Sequence, residues 1–279
     1  MDKRIPPTSI TIATLNCYDI SLFSPFSRRE RMKKLVKQLV ADEPSIVCLQ
    51  EIIFPDTYTL FQKTFSEAGY TVFPEKNNHF LTPSGLFTAT KLPVTSVRYQ
   101  KFDDQGTWFA LDVFERMTGK GFHELHVTLP DNSDITIINT HLLCPFGNYF
   151  SKKPSPTAQR QYDQIVHSVS LSTKAILTGD FNIMPSNHLY TQISCSMHDP
   201  LKHSPTLTIA ATNTHRRYIP GSKLVTRFNG RVDYAFVSND LEKYTSQRIY
   251  MDAPMEFTDK SRQNLSDHFG LWTEIRLPR

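Results

Sequence analysis

Eight polar side chains stand out because each falls in or at the end of an apolar, strand-like run: Asn16, Glu51, His141, Asp180, Asn182, Asp233, Asp267 and His268. Withdrawing such a group from water without a partner costs roughly 2 kcal/mol or more, and an unpaired charge costs far more. The chain must therefore bring these groups to one another, to water or to a metal. One shared site is the simplest arrangement. Its donors are carboxylate and amide oxygens plus imidazole, with no cysteine cluster, a set that suits a hard cation such as Mg²⁺ or Mn²⁺ better than structural zinc.

The elements that would position these groups are legible in the hydrophobic pattern. Residues 9–16 read as a strand ending on Asn16, and residues 45–51 as a continuous apolar strand delivering Glu51. Between them Ser27 and Glu30 have capping-box spacing, Met32, Leu35, Val36, Leu39 and Val40 form one helical stripe, and Pro44 ends the helix. A second amphipathic helix fits residues 56–68, with Leu60, Phe61 and Phe65 inward and Gly69 as its stop. Strand-like runs cover 84–90, 107–114, 122–129 and 134–140, with a turn at residues 130–133. A helix over about 158–170 precedes the apolar strand 175–178, and residues 231–237 and 269–275 read as further strands. Strands outnumber helices, and helices fall between them, so the expected fold is an α/β sandwich of two sheets flanked by helices.

Taken singly, each polar strand end is a common turn, cap or solvated terminus. Together they form an ordered set: Thr14-Leu15-Asn16, Leu49-Gln50-Glu51, Asn139-Thr140-His141-Leu142, Gly179-Asp180-Phe181-Asn182, Arg231-Val232-Asp233-Tyr234 and Ser266-Asp267-His268. In order and rough spacing this set resembles the endonuclease/exonuclease/phosphatase superfamily, and it spans nearly the whole chain, so residues 1–279 are expected to form one catalytic domain. The resemblance implies a deoxyribonuclease-like fold, α/β, a four-layered sandwich of two packed mixed β-sheets flanked by helices, and hydrolysis of a phosphate ester by in-line attack of water, with Mg²⁺, or Mn²⁺, as cofactor. It makes Glu51 the main metal ligand, with Asn16 beside it and Asp267 reaching the ion directly or through water. His268 is then the general base, oriented by Asp233. Asp180 holds or deprotonates the attacking water, Asn182 orients it or the phosphate, and His141 donates to a phosphate oxygen. The proton acceptor is Asp180 or His268; the residues do not choose between them.

Several segments are most similar to the neutral sphingomyelinase branch. These are the Leu15–Ile20 opening followed by Arg28, Arg29 and Arg31, the Gly85-Leu86 to Val94 stretch, Lys120-Gly121, and the Leu265–Gly270 ending. The similarity implies a phospholipase C-type lipid phosphodiesterase acting on a membrane headgroup. A nuclease or DNA-end phosphodiesterase, an inositol-phosphate phosphatase and an inactive scaffold of the same fold are the competing readings. Thr90 stands where the branch has Ser, and Leu143-Cys144 also departs from its pattern.

Lys120, Tyr149, Phe150, Arg217 and Arg227 are the candidate substrate contacts. Phe146, Tyr149 and Phe150 with Lys152 and Lys153 follow soon after His141, a composition that suits a lipid interface, base stacking or simple packing on the protein's own body. A basic segment from His215 to Phe228 precedes Asp233 and suits a phosphate grip or a solvated loop alike.

The bulk properties narrow the setting. The 279 residues carry 31 Lys+Arg against 27 Asp+Glu, a net charge of +4 that allows an anionic substrate without demanding one. No apolar run approaches the ~20 residues that cross a bilayer, and the start has no secretory pattern. The expectation is a monomer that is cytoplasmic or peripheral at a membrane surface. Cys17, Cys48, Cys144 and Cys195 are scattered, two of them in apolar runs, which reads as free thiols.

Overall fold

A computed structural model describes residues 9–20, 27–73, 82, 84–107, 116, 118–145, 149–215 and 228–277. The chain begins β1 (Ser9–Asn16), α1 (Arg28–Asp42), β2 (Ile46–Gln50), α2 (Pro55–Glu67), β3 (Thr71–Val72), β4 (Phe87–Thr90), β5 (Val94–Lys101), β6 (Gly121–Thr128) and β7 (Asp134–His141). It continues α3 (Pro156–Ser168), β8 (Ala175–Asp180), α4 (His188–Ser196), β9 (Met197–His198), β10 (Asp233–Ser238), β11 (Thr245–Tyr250), β12 (Met255–Glu256), β13 (Arg262–Gln263) and β14 (Gly270–Arg276).

Two six-stranded mixed sheets result, in the orders β11-β14-β1-β2-β4-β3 and β5-β6-β7-β8-β10-β9. Each contains a parallel pair flanked by antiparallel partners. β1 runs parallel to β2, with Asn16 opposite Gln50, and β7 runs parallel to β8, with His141 opposite Asp180. Antiparallel β10 starts where β8 ends, pairing Asp233 with Asp180, and antiparallel β14 starts just past the end of β1, pairing Leu271 with Thr14. Strand ends and strand starts carrying the polar motifs therefore lie along one edge of both sheets.

Three apolar layers hold this edge in place. Met32, Leu35, Val36 and Leu39 of α1 and Phe61 and Phe65 of α2 pack on one sheet. Tyr162 and Ile165 of α3 and Leu189 and Ile193 of α4 cover the other. Between the sheets lie Ile10, Ile12, Ile46, Ile137, Ile176 and Val237. A polar bridge crosses that middle layer near the edge: Gln50 Nε2 donates to Asn139 Oδ1 (2.7 Å), and Asn139 Nδ2 donates to Leu49 O (3.2 Å) and Thr88 Oγ1 (3.0 Å). Among the described residues no helix is long and apolar enough to cross a membrane, and all four cysteines are free.

Helices α1, α2 and α3 match the expected spans to within a few residues, Gly69 follows α2 with φ of +82°, and α4 has no counterpart in the sequence reading. The capping box is only half formed. Ser27 Oγ accepts from Glu30 N, but the Glu30 carboxylate turns to accept from the backbone and hydroxyl of Thr258. The strand expected over 84–90 starts at Phe87, because Ser84 and Gly85 form a turn with φ of 62° and 66°. The run at 107–114 lies, from residue 108, outside the described residues. β5 and β11 have no counterpart in the sequence reading: β5 is a largely exposed edge strand and β11 alternates weakly, so neither shows a buried pattern.

Asn139→Ala strips the bridge between the sheets and leaves the Gln50 amide and nearby acceptors buried without it. The expected loss is roughly 1–3 kcal/mol of unfolding free energy, read from urea denaturation; an unchanged midpoint would contradict a stabilising role for the bridge.

Candidate active site

The geometry at the shared edge follows from the chain leaving four strands. After β1, β2 and β8 the backbone turns sharply, with Tyr18, Glu51 and Asn182 at φ of 51°, 56° and 54°. Positive φ is uncommon for such residues and marks a tightly held turn. Gly179, just before Asp180, has φ of +141°, and a Cβ there would meet Thr140 O at 1.8 Å. Only glycine lets β8 lie this close to β7 and set Asp180 beside His141.

Seven of the eight candidate chemical side chains are buried, with 1–7% of their surface exposed, and Glu51 is partly exposed. Asn16 Nδ2 donates both to Glu51 Oε1 (2.9 Å) and to Asp180 Oδ2 (3.0 Å), joining the first sheet to the second. Asp180 Oδ2 is 3.5 Å from His141 Nε2 and 3.9 Å from His268 Nε2. His268 Nδ1 lies 2.9 Å from Asp233 Oδ2 in a hydrogen bond that leaves Nε2 facing Asp180. Asn182 donates from its backbone to Asp180 Oδ1 (2.9 Å), and its amide lies 3.1 Å from His141 Nε2 and donates to Leu142 O (3.0 Å). Asp267 completes the group electrostatically, since its charge acts on both Glu51 and His268.

Crowding of like charges sets the protonation. Burial, then repulsion from Asp267, pushes the Glu51 carboxyl up to about 7. Burial and Asp233 likewise raise Asp180. Burial disfavours the His268 imidazolium, but the carboxylates of Asp233, Asp267 and Asp180 outweigh it and push the ring up to about 10. His141 goes the other way: burial and the positive charges of Lys120 and His268 hold it well below the usual histidine range, and it stays neutral. Oxygen donors that raise one another's pKa in a buried site are the surroundings that a divalent cation relieves, so the residues present fit such an ion.

The ligand atoms of Asp180, Asp233 and His268 all lie within 4.8 Å of one another, a second grouping able to hold a metal. Its members are already tied by the His268–Asp233 hydrogen bond, which accounts for that closeness without an ion. Lys120 is buried and donates from Nζ to Leu142 O (2.9 Å), beneath the cluster rather than on a rim. The Tyr149 hydroxyl lies 3.3 Å from Asn182 Oδ1 and 2.7 Å from Cys144 Sγ. Phe150 stands apart from the cluster, 61% exposed, with its ring edge against Phe228. Arg217 and Arg227 lie outside the described residues.

Sequence reading gave no role to the groups that hold the loops. Arg31 is fully buried, and its guanidinium donates to Cys17 O (2.6 Å), Leu265 O (2.7 Å) and Tyr18 O, tying the turn after β1 to the segment that carries Asp267. Its signal was an arginine four residues before Leu35, on the apolar stripe. Thr208 Oγ1 accepts from Asp233 N (3.2 Å) while Thr208 O accepts from Phe269 N (2.7 Å), drawing β10 and the start of β14 together. Nothing local in the sequence announces it.

Residues 13–268 match the model of the Endonuclease/Exonuclease/phosphatase family. The chain belongs to that family. It is accordingly a phosphoric ester hydrolase. Among curated proteins it is 24% identical over 307 residues to an inositol phosphosphingolipids phospholipase C of Schizosaccharomyces pombe, covering 96% of this chain and 68% of the relative. Among solved structures, SmcL superposes with a TM-score of 0.73 at 16% identity, over 96% of this chain and 99% of that one. TDP2 of D. rerio, solved with a single-strand DNA product, gives 0.70 at 14% identity over 96% and 99%. Both expectations, the family and the layered two-sheet fold, are met.

Replacing Asp233 by Asn removes the charge that most favours protonated His268, so the imidazole pKa should fall. A drop of roughly 1–3 units is expected, read by NMR titration of the histidine ring in chelator-treated protein; a ring that titrates unmoved would break the proposed dyad.

Proposed function

We propose that this protein is a divalent-metal-dependent phosphodiesterase of the phospholipase C type, releasing a phosphorylated headgroup from a sphingolipid. The observation that carries the chemistry is the single cluster joining Asn16, Glu51, Asp180 and the His268–Asp233 dyad across two sheets. What supports a lipid substrate is the match to the phosphosphingolipid phospholipase C along 96% of this chain. An exposed aromatic, Phe150, whose ring meets Phe228, suits a lipid surface as well.

In this reading Glu51, with Asn16 and Asp267, holds Mg²⁺ or Mn²⁺. The cation supplies positive charge that counters phosphate repulsion and makes neighbouring His268 easier to deprotonate. Asp233 fixes the His268 tautomer by accepting a hydrogen bond from Nδ1–H, so Nε2 is the atom that receives a proton from the attacking water. Asp180, 3.9 Å from that nitrogen, steadies the water and the imidazolium that forms. His141, neutral through burial, donates a hydrogen bond to a phosphate oxygen as charge develops there, and Asn182 holds its ring in place. Residues 1–279 act as one catalytic unit.

Hydrolysis of ceramide phosphoesters in mixed micelles, with Mg²⁺ and with chelator, tests the reading. Lipid cleavage that stops on chelation is expected; intact lipids alongside degraded nucleic acid would transfer the protein to the nuclease reading. His268→Ala and Asp180→Ala should each lose on the order of 10³-fold in turnover while staying folded, and near wild-type rates in either would refute the roles. Because Glu51 is pushed up to about 7, protons compete with the cation below that pH. The rise in melting temperature on adding Mg²⁺ should therefore be small at pH 5.5 and grow above pH 7, up to about 2.7 kcal/mol of added stability at ~100-fold excess over Kd. Glu51→Gln should flatten that dependence, and a variant shifted as strongly as the parent would remove Glu51 from the site.

A further inference from the structure

The turn that follows β1 is bonded to both halves of the centre. Asp19, with none of its surface exposed, accepts hydrogen bonds at both carboxylate oxygens. Its Oδ2 takes Ile53 N (3.1 Å) and Phe54 N (2.9 Å), just past Glu51. Its Oδ1 takes the Thr57 hydroxyl (2.9 Å) and Arg28 Nη1 (3.0 Å). Asp19 N and Cys17 N donate to Glu51 O (3.3 Å) and Gln50 O (2.9 Å). On the other side, Arg31 holds Cys17 O and Leu265 O, shortly before Asp267.

Glu51 and Asp267 need such holding. Their like charges repel, which helps to raise the Glu51 carboxyl, so unrestrained loops would splay them apart. Glu51 also sits in a left-handed turn, φ of 56°, that its neighbours must maintain. A carboxylate suits the hub because its two oxygens accept about four donors. An asparagine there would satisfy one oxygen's pair and turn its NH₂ toward the donors of the other. Arg31 adds the compensating charge, since its buried guanidinium acts on both Asp267 and Asp19.

We propose that Asp19 and Arg31 are positioning residues that preset the gap between the Glu51 and Asp267 carboxyls for a small divalent cation. The inference rests on the reading of those two carboxyls as cation donors. Each positioning residue acts through backbone: Asp19 on the 51–54 turn, Arg31 on the segment before Asp267. The size of the ion gives this role a signature. Mg²⁺ demands near-octahedral donors at roughly 2.0–2.1 Å, whereas Ca²⁺ accepts about 6–8 oxygens at roughly 2.3–2.6 Å in flexible arrangements. Loosening the turn therefore weakens Mg²⁺ more than Ca²⁺. A plain loss of stability lowers both alike.

Mn²⁺ titration of chelator-treated protein followed by EPR, with Mg²⁺ and Ca²⁺ as displacing ions, tests the assignment without turnover. Asp19→Asn and Arg31→Lys should each weaken Mg²⁺ by about tenfold and Ca²⁺ by less than about threefold. Arg28→Gln, at a side chain 24% exposed, should shift the ratio in the same direction. Tyr70→Phe is the control: it removes a buried hydrogen bond to Pro44 O (2.6 Å) at the far end of β2 from Glu51 and should leave the ratio as in the parent. Thermal melts establish which variants are folded, and Arg28→Gln decides alone if the two buried changes are not. Equal weakening of both ions, or a ratio matching the control's, in the folded variants overturns the positioning role while Glu51 remains a cation donor. A parent protein that binds no Mn²⁺ removes the cation reading and the positioning role with it.

Discussion

A carboxylate removed from water must find a counter-charge or a donor, and this molecule removes three of them, with two imidazoles, at one edge. Asp180, Asp233 and Asp267 are each at most 6% exposed, and His141 and His268 are buried with them. The pairing of His268 with Asp233 and the double donation by Asn16 answer part of that demand. What is left over appears as raised carboxyl pKa values at Glu51 and Asp180. The site is thus unfavourable for the folded chain alone, and the favourable burial of three apolar layers sustains it.

Strand direction explains why the groups meet. A parallel pair delivers both C-terminal ends to the same side, and an antiparallel neighbour begins there. Both sheets use this arrangement, β1 and β2 with β14 in one and β7 and β8 with β10 in the other. Packing the sheets face to face superimposes the two edges, and the Gln50–Asn139 bridge fixes their relative position one residue short of Glu51. Small errors in register would turn every second side chain to the wrong face, so the apolar alternation inside the strands also determines which polar groups reach the site.

Much of this was legible from the residues. Strands buried on both faces leave continuous apolar runs, so the polar residue that ends such a run is conspicuous, as with Asn16, Glu51 and Asp180. Helices α1, α2 and α3 were found from their stripes and stops, but the short α4 was not. Exposed edge strands such as β5 were not, because they bury no regular face. Nor were Thr208 or the placement of Lys120 beneath the cluster, since these depend on contacts between segments far apart in the sequence. Phe150 and Tyr149 looked alike in the sequence, yet one faces outward and the other touches Asn182. That division depends on how the loop closes over Phe228, which no local pattern encodes.

The clamp formed by Arg31 links helix α1 to a stretch of chain more than two hundred residues away, since its guanidinium holds both Cys17 O and Leu265 O. Close by, Ser266 Oγ donates to Asn16 O across 250 residues of sequence. Closing loops of such length costs conformational entropy before the contacts repay it. The centre is complete only with β14 seated between β11 and β1. With β14 unpaired, the segment that carries Asp267 and His268 has no place at the centre, so completion of the site depends on closure of the first sheet.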